Sequence, residues 1–468
     1  MFYVLTLIFL LPYSYLCILL TFGAKKQNSF TNGLNTNYPP VTIQLPIYNE
    51  RYSIHRLLKA ISNLKWPKSK LEILVLDDSN DETSILVENE INSYRSLGFN
   101  IKAIRRADRT GYKAGALQNA LKHSHGDYIA IFDADSTPQE DFLEATIPLL
   151  ESNSELGFIQ TRLGYNNRSF NELTEAFAIA LDNHYQLELP GRQNLSLIST
   201  FNGSAGVIRK EALIDIGGWR WYTLTEDADL SARMAINGWK SRYLNEVVVG
   251  SEVPYTLDDF INQQSRWAMG GIQAAPKLLK PIWLSRHPSI PQKLEGTIHL
   301  TNYLAFPGMV ISSILLVALI VLGFDPKPIF YSSIGLVSLI GSLGVSLMYA
   351  SSLRFAGQRI LGKIHYLLLL GAIGVGMSPR LSVMMVRNLL SKKREFVVTP
   401  KYNMDSNSNP TDVVFNKYSK PGVYIEMIFI AITLAGIIYA FINKTYIVIG
   451  SFIIQLLSYL ITLYYLRK

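Results

Sequence analysis

A chain of 468 residues with 49% hydrophobic and only 17% charged residues is too long and too apolar for one soluble domain of ordinary composition, so part of it lives in lipid. The formal net charge of +8 needs no nucleic acid to account for it, because basic residues gather on the inner flanks of membrane helices and along sites that hold phosphates; the sequence shows no zinc pattern and no basic-aromatic nucleic-acid motif. The lone cysteine, Cys17, excludes an intramolecular disulfide and a thiolate metal cluster.

Residues 1–22 are nearly all apolar, and Lys25 and Lys26 follow at once. A secretory signal carries its charge before the apolar core and a small-residue cleavage site after it. The reverse order here predicts a retained membrane helix over 1–24, with its N-terminus outside and the lysines on the cytoplasmic side. After a polar linker at 28–37, apolar runs alternate with helical patterns, the signature of βα units. Strands are expected at 41–45, 73–76, 101–104 and 128–132, and helices at 53–64, 81–97 and 114–122. The fold class is therefore α/β, and right-handed parallel connections bring the strand ends to one edge.

The first strand runs into Tyr48 and Glu50, the second into Asp77 and Asp78. Singly, each fits a helix cap or a turn; together, at one sheet edge, they point to a nucleotide site. Gly-x-Gly-x-x-Gly is missing after the first strand and Gly-x-x-x-x-Gly-Lys-Ser/Thr occurs nowhere, so a nucleotide here must rely on aromatic stacking, carboxylate contacts to ribose and a metal on the diphosphate. The fourth strand stops on Asp133 and Asp135. Such a pair suits Mg²⁺ or Mn²⁺, which take oxygen ligands from one or two carboxylates and complete the shell with substrate phosphates. The same triplet recurs at Asp227 and Asp229. Spacing does not separate the two; context does, since the first closes an apolar strand and the second opens an amphipathic helix.

From 157 to 267 the pattern is less regular. Small residues around Phe201, Asn202 and Gly203 let the backbone approach another group. Thr225, Glu226 and Asp227 start a helix and read equally well as an N-cap with acidic residues favoured by the helix dipole. A further helical stretch, 258–267, ends on Gln263, Arg266 and Trp267. Arg266 and Trp267 pair a charged fork suited to phosphate with a flat face suited to a sugar ring, or else mark an interfacial helix. The soluble unit thus covers 38–290. Beyond it, 298–323 with 328–351 and 422–441 with 446–466 are long enough to span in pairs, over 298–351 and 421–468. Between the pairs, 364–390 is broken at 378–380 and followed by Lys392, Lys393 and Arg394. A single crossing would put those charges on the wrong side, so a re-entrant or interfacial segment is expected over 364–402.

Taken together and in order, Asp77-Asp78, Asp133-Ala134-Asp135, Thr225-Glu226-Asp227 and Gln263-x-x-Arg266-Trp267 resemble the motifs of the membrane-embedded family 2 glycosyltransferases, the cellulose-synthase-like group. The resemblance runs from Val41 to Lys401. Residues 44–50, 76–79, 111–117 and 201–203 are closest in wording to the mannan- and glucomannan-synthase-like branch and its microbial relatives. Residues 396–401 resemble the gating loop of cellulose synthases, through Phe396, Val398, Thr399 and Lys401.

The resemblance implies a cytosolic GT-A (Rossmann-like) domain inserted between transmembrane helices, in a multi-pass protein of a prokaryotic plasma membrane. Asp133 and Asp135 would hold Mg²⁺ or Mn²⁺ on the donor diphosphate; Tyr48, Glu50, Asp77 and Asp78 would hold the nucleoside, with Lys113 beside them. Asp227 would be the general base, next to Glu226. Gln263 and Arg266 would hold the departing diphosphate, Trp267 would stack on the acceptor sugar, and Phe201, Asn202 and Gly203 would line the acceptor's path. The implied reaction is inverting transfer from UDP-glucose or GDP-mannose to a growing β-linked polysaccharide, possible coupling to its export included. The alternative within the superfamily is transfer of one sugar to a membrane lipid, and outside it a transporter or scaffold. Cyclic-dinucleotide control is not expected, since no soluble domain follows the last helix.

Overall fold

The computed structural model describes residues 10–24, 38–323, 328–390, 401 and 423–468. The gating-loop positions Phe396, Val398 and Thr399 lie outside the described residues. Around the first βα units, runs of Val, Ile and Leu form strands buried on both faces, as a parallel sheet covered by helices requires. These are β1 (Val41–Ile47), β2 (Leu71–Asp77) and β4 (Tyr128–Ile131), with β3 (Asn100–Ile104) the partly exposed strand at the sheet's edge. β1 pairs in parallel with β2 and β4, and β2 with β3, so all of them end on the same edge. Helices Ile54–Ser62, Thr83–Ser96 and Tyr112–Leu121 connect them, each within a few residues of the sequence expectation. Ile54, Leu57, Leu58 and Ile61 recur at helical spacing and form the buried stripe of the first helix.

The irregular part of the sequence completes the same sheet. β5 (Thr137–Pro138), β6 (Leu156–Tyr165), β7 (Gly206–Arg209) and β8 (Lys240–Ser251) extend it in the order β3-β2-β1-β4-β7-β6-β8-β5. β7 runs antiparallel between β4 and β6. That reversal carries Asn202 and Gly203, just before β7, to the edge where β4 delivers Asp133.

Helix Glu226–Ile236 follows, then the long helix Leu257–Leu284. Among the described residues, three helical segments are long and apolar enough to cross a membrane: Ile290–Val321, Tyr424–Ile442 and Tyr446–Arg467. Ile360–Gly376 and Ser378–Leu390 qualify only as a pair bent by 42°, at the break expected near 378. Helix Pro328–Phe355 has 28 residues, and a shorter apolar helix covers Leu10–Gly23. Lys363, at the start of the bent pair, bonds Glu175 of the soluble domain at 2.7 Å, while Lys401, beyond its end, pairs with Asp135 of the same domain.

Among the apolar helices, Arg380 donates from Nε and Nη2 to the two carboxylate oxygens of Glu426 at 2.7 and 2.8 Å, with Glu426 1% exposed. Removing one partner leaves a buried charge uncompensated. Arg380→Ala is therefore expected to cost about 3–5 kcal/mol of stability, read as a lowered Tm in detergent. Replacing both residues by apolar ones of similar size should recover most of it.

Candidate active site

The ends of β1 and β2 form one flank. Asp78 N–H donates to Ile47 O at 3.1 Å, locking the two strand ends together. Asp77 is fully buried at its side chain: it accepts from Ser79 N–H at 3.0 Å and from Arg105 Nε at 3.1 Å. These bonds fix the carboxylate at the end of β2, where a nucleoside contact is expected of it. Asp78 is gripped by the fork of Arg106, with Nε at 3.0 Å from Oδ1. The guanidinium carbon of Arg109 stands 3.1 Å from the centre of the Tyr48 ring, a cation over an aromatic face. These arginines were not anticipated as site residues. Their signal was the basic run Arg105-Arg106-Ala107-Asp108-Arg109 directly after β3.

β4 delivers the second group. Asp133 N–H donates to Ser204 Oγ at 2.8 Å, and Lys113 Nζ reaches its Oδ1 at 2.5 Å and Glu226 Oε1 at 4.0 Å. Asp135 is 1% exposed; its Oδ2 accepts from Ser251 Oγ at 2.6 Å and Glu252 N–H at 2.8 Å, and its Oδ1 pairs with Lys401. Burial pushes Asp135 up, but Lys401 and these hydrogen bonds outweigh it and hold it below the usual carboxylate range. Burial raises Glu50 to about 7, with Asp135 and Asp133 adding and Lys401 opposing.

Asp133 and Asp135 fit a hard divalent cation in kind. Asp133 keeps 38% of its side chain accessible, and Asp135 is oriented by hydrogen bonds of the sort that fix a metal-ligating carboxylate. Among the described residues no cluster of three or more His, Cys, Asp or Glu could hold a metal. Such an ion would thus draw the rest of its shell from phosphate and water, as Mg²⁺ commonly does.

The third group is the start of helix Glu226–Ile236. Ala228 N–H donates to Asp227 Oδ1 at 2.8 Å, so the carboxylate is anchored by its own helix. Gly203 has φ +77°, and a Cβ there would stand 3.3 Å from both Asp227 Oδ2 and Lys113 Nζ; the small residue is what lets this backbone lie against the carboxylate. Phe201 N–H donates to Ser231 Oγ and Asn202 N–H to Gln160 Oε1, both at 2.8 Å, fixing that loop. Asn202 Oδ1 lies 3.2 Å from His184 Nε2. The ring of Phe201, 1% exposed, packs edge-on against Phe158. The ring belongs to the hydrophobic core beneath the site.

Burial raises both Glu226, to about 7, and Asp227; Asp227 adds to the rise of Glu226, Asp133 adds to both, and Lys113 opposes in both. From helix Leu257–Leu284, Glu226 and Asp133 lie close enough to Arg266 to oppose the burial that lowers its pKa. Gln263 Oε1 is buried with no hydrogen-bond partner among the described residues, and Trp267 is 38% exposed. The long helix meets the turn before helix Glu226–Ile236 at Gly270, where a Cβ would come within 2.1 Å of the Thr225 side chain. Thr225 is branched at Cβ and cannot swing clear. Gly270→Ala is expected to displace Asp227 relative to Arg266 and to lower kcat by about tenfold or more, since a shift near 1 Å can cost about 100-fold, with Tm falling by only a few degrees.

A family model described as glycosyl transferase family group 2 matches residues 128–443. Probable glucomannan 4-beta-mannosyltransferase 11 of Arabidopsis thaliana is 39% identical over 264 residues, covering 56% of this chain and 60% of the relative. Glucomannan 4-beta-mannosyltransferase 2 of the same plant is 39% identical over 252 residues, 53% of this chain and 47% of its own. The chain spans about half the length of the curated relatives it matches. A mannosyltransferase from Pyrobaculum calidifontis, solved with GDP-Man and Mn²⁺, superposes with a TM-score of 0.56 at 22% identity, over 84% of this chain and all of its own; the likeness shows a shared GT-A fold.

Proposed function

Because the chain belongs to glycosyl transferase family group 2, we propose that it transfers a hexose from a nucleotide sugar to a growing β-linked glycan, with inversion at the anomeric carbon. One observation carries the reading: Lys113 ties Asp133 to Glu226 while Gly203 lies against Asp227. The strand end suited to a diphosphate and the carboxylate suited to a proton transfer thus face one space.

In the reaction, Asp227 takes the proton of the acceptor hydroxyl as its oxygen attacks the anomeric carbon. The bond from that carbon to the diphosphate breaks, and the nucleoside diphosphate leaves with the electron pair. Lys113 and Arg266 place positive charge where the negative charge develops. Asp133 and Asp135 would hold Mg²⁺ or Mn²⁺, which when bound makes the diphosphate a better leaving group without proton transfer. Tyr48, Glu50, Asp78 and Arg109 bound the nucleoside end, and Asn202, Gly203 and Trp267 the acceptor end. A single displacement at one face converts an α-linked donor into a β-linkage.

The mannosyltransferases among the relatives support mannose as the transferred sugar, with GDP-mannose as the donor to test and UDP-glucose the alternative. Lys363 and Lys401, on either side of the bent helix pair, both contact the soluble domain. That supports a re-entrant or interfacial segment, and with it a multi-pass protein whose catalytic domain is cytoplasmic. The test is to incubate the protein in lipid vesicles with labelled GDP-mannose or UDP-glucose and Mg²⁺ or Mn²⁺, then size the product. A high-molecular-weight product cut by a β-mannanase or β-glucanase supports the polymer. A small product that extracts into organic solvent replaces it with transfer of one sugar to lipid. No transfer from either donor overturns the proposal.

A further inference from the structure

Beside the catalytic turn lies a cavity of about 200 Å³, walled by Lys113 and Ala114 on one side and by Trp221, Thr223, Leu224 and Glu226 on the other. None of the motifs considered above includes Trp221. Its neighbour in the same loop, Trp219, is 2% exposed, whereas Trp221 is 49% exposed. The difference is not looseness of the loop. Trp219 N–H donates to Gln118 Oε1 at 2.6 Å and Leu224 N–H to Gln273 Oε1 at 3.1 Å. Lys277 Nζ donates to Tyr222 O at 3.0 Å and stands 4.1 Å from the Tyr222 ring centre. The backbone is thus pinned on both sides of Trp221, to two different helices. The indole itself rests on Gly111, whose φ is +75° and whose added Cβ would lie 2.6 Å from the Trp221 Cγ.

We propose that this cavity is a pyranose subsite, with the Trp221 indole as its stacking face and Glu226 and Lys113 as its hydroxyl partners. The inference rests on the glycosyltransferase reading and deepens it. A fixed, half-exposed aromatic plane suits the C–H face of a sugar ring. A carboxylate and an ammonium at its edge supply the acceptor and donor that ring hydroxyls require. A phosphate fits the same walls poorly, because the carboxylate of Glu226 lines them and would repel it. The sugar is either the hexose of the donor or the terminal residue of the acceptor; the chemistry is shared and the experiment separates them.

The measurement is calorimetric binding in detergent, with Mn²⁺, of GDP-mannose, GDP and mannotriose to the wild type, Trp221→Ala and Trp221→Phe. UDP-glucose, UDP and cellotriose form a parallel set. Trp221→Ala is expected to weaken one ligand at least about fivefold, with Trp221→Phe within about twofold of wild type, because a phenyl ring keeps the stacking face. Loss confined to the sugar nucleotide, with the bare diphosphate unchanged, places the donor hexose in the cavity; loss confined to the trisaccharide places the acceptor there. Equal weakening of sugar nucleotide and bare diphosphate overturns the subsite, as does no change for any ligand. If the wild type binds none of the six, the functional reading fails and the subsite with it. If the wild type binds and the variants match it, only the subsite fails.

Discussion

Asp227→Asn is expected to lower turnover by about 10²–10⁴-fold, the range for loss of a positioned general base, while leaving nucleotide-sugar affinity within about threefold. The amide keeps the size of the carboxylate, so the backbone of Gly203, against Asp227 Oδ2, is not displaced and the fold is kept. What it loses is the ability to take the acceptor proton. The neighbouring Glu226 provides the internal comparison. Its carboxylate lies towards Lys113, 4.0 Å away, and the cavity lined by Trp221, so Glu226→Gln should act mainly on KM. Titration gives the second readout. Both acids are raised by burial, Glu226 to about 7. A base works only when ionised, so kcat should fall as the pH drops through the raised value. The acid limb, set by Asp227, should therefore stand above the ~3.9 of an ordinary aspartate. Turnover of the Asn variant within about tenfold of wild type would sink Asp227 as the base.

The first half of the sheet was legible in the sequence because parallel strands buried on both faces leave continuous apolar runs. Leu71–Asp77 and Tyr128–Ile131 are buried throughout, and each ends on the carboxylates that announce the edge. The second half was not. β7 is a four-residue strand that starts at Gly206, too short for any period to show. β8 pairs with β6 through register shifts between Leu156 and Phe158 and between Thr161 and Arg162, which break the alternation that would identify a strand. Motif residues on element ends stood out as candidates for the same reason, since Asp133, Asp227 and Gly203 sit where a pattern changes. Side-chain direction escaped. Phe201 and Asn202 are adjacent in sequence, yet the first turns into the core and the second towards His184. Arg105, Arg106 and Trp221 escaped too, because their role depends on which strand end or loop lies opposite, and spacing along the chain carries no such information.

The metal pair should show the other large effect. Chelation of divalent ions is expected to abolish transfer, with Mg²⁺ or Mn²⁺ restoring it. Asp135→Asn should lower kcat/KM by about 10²–10³-fold, because a metal at a departing phosphoryl oxygen supplies several kcal/mol and each 1.36 kcal/mol is tenfold. A competing account is that Asp135 serves only to anchor Lys401, whose ammonium pairs with its Oδ1. The two separate on one comparison. If Asp135 is only an anchor, Lys401→Met reproduces the loss and neither variant changes the ion concentration for half-maximal activity. If Asp135 holds the ion, Asp135→Asn raises that concentration strongly. Lys401→Met, by contrast, leaves it unchanged or lowers it, because the ammonium that competes for the Oδ1 lone pairs is gone. Burial without Lys401 also pushes Asp135 up. The Met variant should therefore lose ion binding at a higher pH than wild type, through protonation of the carboxylate that Lys401 otherwise keeps ionised.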